Sequence, residues 1–317
     1  MATLSRCKEI LWSDLDVAVT LDAPIGEQTW YGAGGLADVL ICPNSTDALR
    51  SLCTRCDQEG IRVRVLGSGA NLLVADDGID GIVVQLTHPT FCAVDWQDGP
   101  TTQMTRIGAG ADLMKLVQES ARRGLDGLSQ LAGIPATVGG AVRMNAGGTF
   151  GQISDCVQSI DFISQRGEVV LLSSAALDFG YRRCALPDGI VLAANCALQP
   201  GDPAKIRSRV KEVFEYKKST QPMAERSAGC MFKNPTDTAT GIRGSAGRLI
   251  DEAGLKGRTI GGAYVSDRHG NFIGLRPGGR ACDVIALSND VQQRVLERTG
   301  IRLEREVVVW SKRGEVI

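Results

Sequence analysis

The stretch that decides the fold is Leu-Ala-Gly-Ile-Pro-Ala-Thr-Val-Gly-Gly-Ala-Val-Arg-Met-Asn-Ala-Gly-Gly, residues 131–148. Arg143 is its only charge, and its apolar side chains argue against a solvated linker. Because glycine and proline both oppose a long regular helix, we predict a tight loop whose bare backbone lies against something large. Backbone N–H groups outside regular structure are good donors to a phosphate, which indicates a nucleotide-type cofactor. A glycine-rich turn between two strands remains the alternative at this point.

Composition limits the class of protein. The chain has 317 residues, enough for two or three domains, and its hydrophobic content of 43% is typical of globular proteins. A net charge of −1 gives no reason to expect nucleic acid or an anionic membrane as a partner. No stretch approaches the ~20 apolar residues that a transmembrane helix needs, and residues 1–14 lack the apolar run of a signal peptide. We therefore expect a cytoplasmic protein, and we expect it to be a monomer.

The 10 cysteines are scattered without the pattern of a disulfide framework, so we expect reduced thiols. Only Cys53 and Cys56 have a spacing that suggests a metal or redox site. Zinc would need two further ligands, and the chain has only 2 histidines. Both cysteines lie on the apolar face of a helical pattern, so we predict that they are core residues and that no metal is bound.

Strand and helix patterns alternate along the chain. We predict strands at 37–42, 62–66, 81–86, 105–109, 159–163, 168–172, 189–194 and 307–310. The strands 159–163 and 168–172 should form a hairpin with Arg166-Gly167 at its turn. We predict helices at 47–53, 112–121, 204–218 and 281–299, and Asn44-Ser45-Thr46 can cap the first of them. A break at 199–203 contains two prolines and a glycine and indicates a domain boundary. The resulting division is 1–86, 87–202 and 203–317.

A second glycine-rich loop, Gly67-Ser68-Gly69-Ala70-Asn71-Leu72, follows a predicted strand, as a phosphate-binding loop does. Leu72 stands where a dinucleotide fingerprint has its last glycine, and no Lys-Ser/Thr pair follows as in a P-loop. Alone, the loop is best explained as an ordinary turn. Together with residues 131–148, it provides two separate loops that could hold the two ends of a large dinucleotide.

Three polar residues stand out in the second half of the chain, and each has a plain alternative. Arg182 could form a surface ion pair. Cys230 could fill the core, as free cysteines usually do. Glu306 could be a solvated residue at the edge of a strand.

Together, these segments resemble the UDP-N-acetylenolpyruvoylglucosamine reductase family, which are flavoenzymes of bacterial cell-wall (peptidoglycan) precursor synthesis. The resemblance extends from Gly34 to Glu306, and it is most specific at residues 67–73, 131–148, 228–235, 246–257 and 303–307. It implies an α+β protein: an FAD-binding fold of two α/β subdomains (PCMH-type) with FAD held between them, plus a C-terminal α+β substrate-binding domain. It also implies reduction of UDP-N-acetylglucosamine enolpyruvate, a UDP-sugar enol ether, to UDP-N-acetylmuramate, with NADPH as the reductant of bound FAD.

The resemblance also implies site residues. Arg182 would stabilise the enolate that forms when hydride adds to the substrate, and Glu306, with a neutral carboxyl, would stabilise or orient the same group. Cys230 matches the family's proton donor, which is often serine; a free thiol has a pKa of ~8.5 and gives its proton more readily than a hydroxyl does. The implied substrate-binding residues are Tyr181, Lys233 and Asn234. The implied cofactor-binding residues are Gly67, Ser68, Gly69, Ala70, Asn71, Leu72, Gly133, Ile134, Pro135, Thr137, Gly139, Gly140, Asn145, Ala146 and Gly147.

Four positions differ from the family pattern: Ser129 replaces a glutamate, Ala136 a glycine, Leu36 a proline and Cys184 a serine. We expect these differences to affect FAD affinity rather than the chemistry, since the methyl of Ala136 lies where backbone approaches the cofactor. The connection that follows Arg182 is short, as in the branch of the family without an extra substrate-covering insertion.

Two rival functions remain to be weighed. An FAD-dependent oxidoreductase of the same fold could act on another substrate, but the motifs around Cys230 and Glu306 argue against it. A flavin-binding protein without catalysis is a second rival, and the presence of Arg182, Cys230 and Glu306 together argues against that.

Overall fold

The structure is a computed structural model, and it describes residues 9–97, 99, 101–236, 244–312 and 314–316. Its α-helices are α1 (Thr46–Gln58), α2 (Pro89–Cys92), α3 (Leu113–Arg123), α4 (Val138–Arg143), α5 (Pro203–Thr220), α6 (Ala246–Glu252) and α7 (Ala281–Thr299). Its strands are β1 (Val17–Ala23), β2 (Ala37–Pro43), β3 (Val63–Val65), β4 (Leu72–Val74), β5 (Ile79–Val84), β6 (Val94–Asp95), β7 (Gln103–Gly108), β8 (Leu125–Asp126), β9 (Gly147–Gly148), β10 (Gly151–Gln152), β11 (Val157–Ser164), β12 (Val169–Ser173), β13 (Gly189–Pro200), β14 (Thr259–Ile260), β15 (Ala263–Val265), β16 (Ile273–Leu275), β17 (Val308–Ser311) and β18 (Gly314–Val316).

Contacts between residues divide the chain into two compact units. The first unit contains Met1–Leu21, Asp38–Ser68 and Gly81–Lys217. The second unit contains Asp22–Ala37, Gly69–Asp80 and Lys218–Ile317. The division into domains 1–86, 87–202 and 203–317 stays a prediction.

The first unit contains a four-stranded sheet in the order β1-β2-β5-β3, in which β3 and β5 pair in parallel. Helix α1 begins after Ser45, whose side chain accepts a hydrogen bond from the Ala48 N–H and so caps the helix. Cys53 and Cys56 are 4% and 1% exposed in the core of this unit, which confirms the prediction that they face inward.

A larger sheet in the first unit has the order β12-β11-β13-β7-β6, and β8 adds to β13. Strands β11 and β12 form the predicted antiparallel hairpin. Strand β13 pairs with β11 on one side and with β7 on the other. It runs to Pro200, six residues beyond the predicted strand, and α5 begins three residues later.

The decisive stretch contains a short helix where we predicted a loop throughout. Helix α4 begins after Thr137, whose side-chain oxygen accepts a hydrogen bond from Gly140 N at 3.3 Å. Val138, Ala141 and Val142 are buried. Their burial outweighs the cost of about 1 kcal/mol for each glycine in a helix, because tertiary packing rather than propensity supplies most helix stability.

The second unit contains two three-stranded sheets, β14-β15-β16 and β18-β17-β4, together with α6 and α7. Strands β4 and β17 pair in parallel although more than 200 residues separate them in the chain. Helix α7 has the predicted bounds. Its first N–H groups, those of Ala281 and Cys282, donate to the two carboxylate oxygens of Asp76 at 3.1 and 3.0 Å. The alternation of helices and strands through the chain confirms the α+β class.

Candidate functional site

The two glycine-rich loops meet in the first unit. The hydroxyl of Ser68 donates to the main-chain carbonyl of Pro135 at 3.2 Å. A Cβ placed on Gly67 would lie 2.6 Å from the hydroxyl oxygen of Thr137, so no larger residue fits at position 67 without displacing Thr137. Two loops that sequence analysis assigned to one cofactor are therefore in direct contact.

The loop 67–70 has the donors that a phosphate-bearing cofactor needs. The backbone N–H groups of Gly67, Ser68, Gly69 and Ala70 donate no hydrogen bond to any part of the chain that the structure describes. Gly69 has a φ of +67°, a conformation that favours glycine. Consecutive backbone donors that the protein does not use can cradle an anionic phosphate. These residues fit a dinucleotide such as FAD.

The segment that leads into α4 is held mainly by the protein's own backbone. Leu113 N donates to Ala136 O at 2.9 Å, and Gly139 N donates to Ala109 O at 2.8 Å. The methyl group of Ala136 packs against the core of the first unit. Alanine at this position, where the family pattern has glycine, therefore adds an apolar contact inside the protein.

Asn145 is 1% exposed and has a φ of +41°, which few residues other than glycine and asparagine adopt readily. Its side-chain amide donates to Gly180 O at 2.9 Å and to Gln152 Oε1 at 3.1 Å, and its Oδ1 accepts from Ser154 N at 3.3 Å. These bonds tie the glycine-rich loop to the residue that precedes Tyr181. The side chain of Asn145 thus braces the loop from within.

Arg182 is half-buried in the first unit and also has a left-handed backbone, with a φ of +54°. Its Nη1 donates to Gly147 O at 2.9 Å, and its guanidinium lies 5.4 Å from the centre of the Tyr181 ring. A non-glycine residue in this conformation costs of order 1–3 kcal/mol and persists only where its surroundings fix it. Arg182 is therefore a constrained cation attached to the glycine-rich loop.

Lys217 is a residue that sequence analysis missed. It is 7% exposed, and its Nζ donates to Ala132 O at 2.6 Å. Burial, and secondly the positive charge of Arg182, lower its pKa to about 8. Lys217 therefore adds a second positive group beside Arg182. Nothing in the sequence marks it, since it lies in a charged helical pattern next to another lysine.

The segments that carry Cys230 and Glu306 are hydrogen-bonded to each other in the second unit. Cys230 is half-buried and forms an antiparallel bridge with Phe272. The N–H of Glu306 donates at 2.8 Å to the carbonyl of Met231, the residue that follows Cys230. Glu306 is 8% exposed, so bulk water has little access to its side chain. The predicted trio is thus distributed, with Arg182 in the first unit and the other two in the second.

Asn71 has a side-chain partner that sequence analysis did not predict. Its Nδ2 donates to the main-chain carbonyl of Glu306 at 3.1 Å, and its own carbonyl accepts from Val308 N at 3.1 Å. We expected Asn71 at the cofactor. Its side-chain amide holds the backbone of Glu306, and its place at the cofactor stays a prediction.

The predicted substrate-binding residues Lys233 and Asn234 lie in the segment that follows Cys230. Lys233 N donates to Glu304 O at 2.9 Å, and its Nζ lies 3.5 Å from a carboxylate oxygen of the same residue. The Oδ1 of Asn234 accepts from Ala246 N at 3.0 Å, at the start of α6. This segment is held in place by hydrogen bonds at consecutive residues.

Three general features of the described residues bear on chemistry. Their nine cysteines are all free thiols. No group of three His, Cys, Asp or Glu side chains among them is arranged to hold a metal ion. None of their helices combines the length and the apolar character needed to cross a bilayer.

Two family models match the chain. The FAD binding domain matches residues 37–173, and the C-terminal domain of UDP-N-acetylenolpyruvoylglucosamine reductase matches residues 221–310. The first match includes both glycine-rich loops, which confirms the predicted FAD-binding fold. The second match includes Cys230 and Glu306.

Solved structures show the same fold. UDP-N-acetylenolpyruvylglucosamine reductase from Thermus caldophilus superposes with a TM-score of 0.77 at 38% identity, covering 93% of this chain and 99% of that one. A carbohydrate oxidase from Microdochium nivale has a TM-score of 0.50 at 17% identity over 61% of this chain, which reflects the fold alone.

Curated relatives match almost the full length of the chain. The UDP-N-acetylenolpyruvoylglucosamine reductase of Desulfosudis oleivorans is 38% identical over 92% of this chain and 94% of its own length. The enzyme of the same name from Syntrophus aciditrophicus is 38% identical over 97% of this chain and 96% of its own length. The chain therefore belongs to the UDP-N-acetylenolpyruvoylglucosamine reductase family.

Proposed function

We propose that this protein is an FAD-dependent oxidoreductase that uses NADPH to reduce UDP-N-acetylglucosamine enolpyruvate to UDP-N-acetylmuramate in peptidoglycan precursor synthesis. The observation that carries the proposal is the match to named reductases over 92% and 97% of the chain. The assignment of individual residues to steps of the reaction rests on the resemblance of their motifs to those of the family, and the local geometry described above supports it.

The two glycine-rich loops supply the main-chain environment for FAD. FAD, when bound, supplies the hydride that passes from NADPH to the substrate. The unused N–H groups of residues 67–70 would bind its phosphates. The bond from Ser68 to Pro135 keeps this loop against the segment that begins α4. Because both loops are fixed by the protein, little ordering is left to be completed when the cofactor binds.

We assign to Arg182 the stabilisation of negative charge. Hydride adds to the terminal carbon of the enol-ether double bond, and the electron pair of that bond moves to the carbon that bears the carboxylate. The resulting enolate carries charge that a preorganised cation can stabilise. The bond from Arg182 to Gly147 O and its constrained backbone hold the guanidinium in one place, so that no reorganisation is needed during the reaction.

We assign to Cys230 the proton transfer that completes the reaction. The Sγ–H bond breaks, the proton forms the new C–H bond at the carbon next to the carboxylate, and the thiolate recovers a proton from solvent. A positioned general acid contributes typically 10²–10⁴-fold to the rate. Glu306, with a neutral carboxyl, would stabilise or orient the substrate carboxylate. Because Glu306 is only 8% exposed, bulk water has little access to that contact. Tyr181, Lys233 and Asn234 are proposed to bind the substrate.

The compartment and the assembly state are part of the same proposal. We propose a cytoplasmic monomer that acts on a small molecule and binds neither nucleic acid nor membrane. The nine free thiols of the described residues suit a reducing compartment. Light scattering coupled to size-exclusion chromatography measures the assembly state directly.

The test of the function is an anaerobic titration. The purified protein should show the yellow absorbance of oxidised FAD, lose it on addition of NADPH, and regain it on addition of UDP-N-acetylglucosamine enolpyruvate. Protein that stays bleached after the substrate is added would retain the flavin assignment and exclude this substrate. Protein that contains no flavin and binds none would contradict the proposal as a whole.

A further inference from the structure

The segment 303–308, which carries Glu306, is hydrogen-bonded along its length within the second unit. Glu304 O accepts from Lys233 N, and Leu303 O accepts from the side chain of Gln292. Glu306 N donates to Met231 O at 2.8 Å. The segment is extended up to Glu306, so its side chains alternate between two faces to that point. A bend follows at Val307, whose N–H donates to the same carbonyl, Met231 O, as Glu306 N.

One face of this segment lies on the core and on α7. Leu303 and Val307 are 1% and 0% exposed and belong to the core of the second unit. Arg305, two residues after Leu303 in the extended part of the segment, lies on the same face as Leu303. Its Nε donates to Ser288 Oγ at 3.1 Å, and its Nη2 donates to Asn289 Oδ1. Ser288 is 1% exposed, so this contact lies inside the protein.

A guanidinium in this position is a specific anchor. A half-buried cation is costly unless its donors are satisfied, and the two acceptors on α7 satisfy it at one register of the segment only. A slip by one residue would place Glu304 or Glu306 against α7 and would leave Arg305 on the opposite face. The apolar side chain of Leu303 on the same face cannot provide this discrimination as sharply, because apolar packing has no direction.

We propose that Arg305 is a positioning residue, which anchors the segment 303–307 to Ser288 and Asn289 of α7 and thereby fixes the direction of Glu306. Arg305 acts on the reaction through its neighbour Glu306. Its guanidinium binds the helix, and the alternation of the extended chain then places the carboxyl of Glu306 on the opposite face. The inference rests on the proposed function for its catalytic consequence, and on geometry alone for the placement of the segment.

The test compares Arg305→Met with Arg302→Met, a control at an exposed arginine directly before the segment. Methionine keeps an apolar stem and removes the hydrogen bonds. We expect Arg305→Met to slow reoxidation of the reduced enzyme by UDP-N-acetylglucosamine enolpyruvate by about tenfold, because a displacement near 1 Å at a reacting group is costly. Reduction by NADPH should stay within about twofold of the unmodified protein. Arg302→Met should leave both half-reactions unchanged.

Two further variants distinguish a loss of positioning from a loss of folding. Asn289→Ala removes one acceptor from an exposed position of α7 and should give a smaller loss in the same half-reaction. Arg305→Lys, which can reach one acceptor, should recover part of the rate. Equal loss in both half-reactions, or an unchanged reoxidation rate in Arg305→Met, would overturn the proposal.

A readout independent of activity separates this inference from the proposed function. Amide hydrogen exchange of the peptide that contains residues 303–308 should become faster in Arg305→Met and stay unchanged in Arg302→Met. If the unmodified enzyme is not reoxidised by the substrate, the proposed function fails, and faster exchange would still support the anchor. Unchanged exchange in Arg305→Met would reject the anchor whatever the substrate is.

Discussion

The side-chain amide of Asn71 donates a hydrogen bond to the main-chain carbonyl of Glu306, with 3.1 Å between Nδ2 and O. The next bond along the chain runs the other way, from Val308 N to Asn71 O at 3.1 Å. Met231 O accepts from Glu306 N, so the backbone of Glu306 is held through both of its polar groups. Asn71, in the glycine-rich loop 67–72, therefore also holds the backbone of the candidate catalytic residue Glu306.

Replacement of this amide tests whether Asn71 serves the cofactor or the carboxyl. In Asn71→Ala the carbonyl of Glu306 loses a partner, which costs about 1–3 kcal/mol of the free energy of unfolding. We expect slower reoxidation by substrate with FAD retained. The measurements are urea denaturation, flavin absorbance and the two half-reactions. If the variant loses FAD, and the enzyme reconstituted with FAD is reoxidised at an unchanged rate, Asn71 acts on the cofactor alone.

The contact between the two loops predicts a steric requirement at position 67. In Gly67→Ala the new methyl would lie 2.6 Å from the Thr137 hydroxyl and would push the loops apart. We expect the purified variant to contain less FAD, measured by visible absorbance per protein. Gly148→Ala is the matched control, since its new methyl has no heavy atom within 4 Å. Equal FAD content in the two variants would contradict the role of this contact.

The assignment of Cys230 as the proton donor predicts a selective kinetic defect. Cys230→Ala should leave flavin reduction by NADPH intact and slow reoxidation by substrate by about 10²-fold or more. Cys230→Ser keeps an exchangeable proton and should retain more activity. The exposed Cys282 provides the control variant, Cys282→Ala. The same loss in both half-reactions would refute the assignment.

The buried Lys217 predicts how stability depends on pH. Its pKa is about 8 in the folded protein against 10.5 for an ordinary lysine. Between these values the unfolded chain binds more protons, so the free energy of unfolding rises with pH across this window. Below pH 8 Lys217 is charged in the folded protein, and burial of this charge lowers the free energy of unfolding by about 3 kcal/mol for a pKa shift of this size.

Lys217→Met removes the titrating group and should therefore abolish this rise. Urea denaturation at pH 7.5 and pH 10 measures it, and Lys218→Met, at an exposed position next in the chain, is the control. If Lys217→Met and the unmodified protein show the same change between the two pH values, Lys217 does not carry the lowered pKa.

Several elements could be predicted because they depend on local chemistry. The predicted helix 281–299 has the same bounds in the structure, where its apolar face is buried in the core of the second unit. The cap at Ser45 and the inward direction of Cys53 and Cys56 follow from capping and helical periodicity. The hairpin of β11 and β12 follows from two apolar runs around a turn.

The prediction was wrong where tertiary packing outweighed local preference. Helix α4 forms across two glycines because Val138, Ala141 and Val142 are buried there. Strand β13 continues to Pro200 because β7 and β8 pair with its second half. Neither partner is apparent from the local sequence, so periodicity alone ended the strand too early.

The sequence by itself determined the family and much of the order of the elements, and it predicted Arg182, Cys230 and Glu306 as catalytic residues, since motifs and periodicity are local properties of the chain. Only the tertiary structure decided which groups these residues meet. Lys217 donates a hydrogen bond to Ala132, 85 residues away in the sequence, and Asn71 donates one to Glu306, 235 residues away. Such contacts depend on the path of the whole chain, because burial and hydrogen bonding act between residues that folding brings together and not between neighbours in sequence.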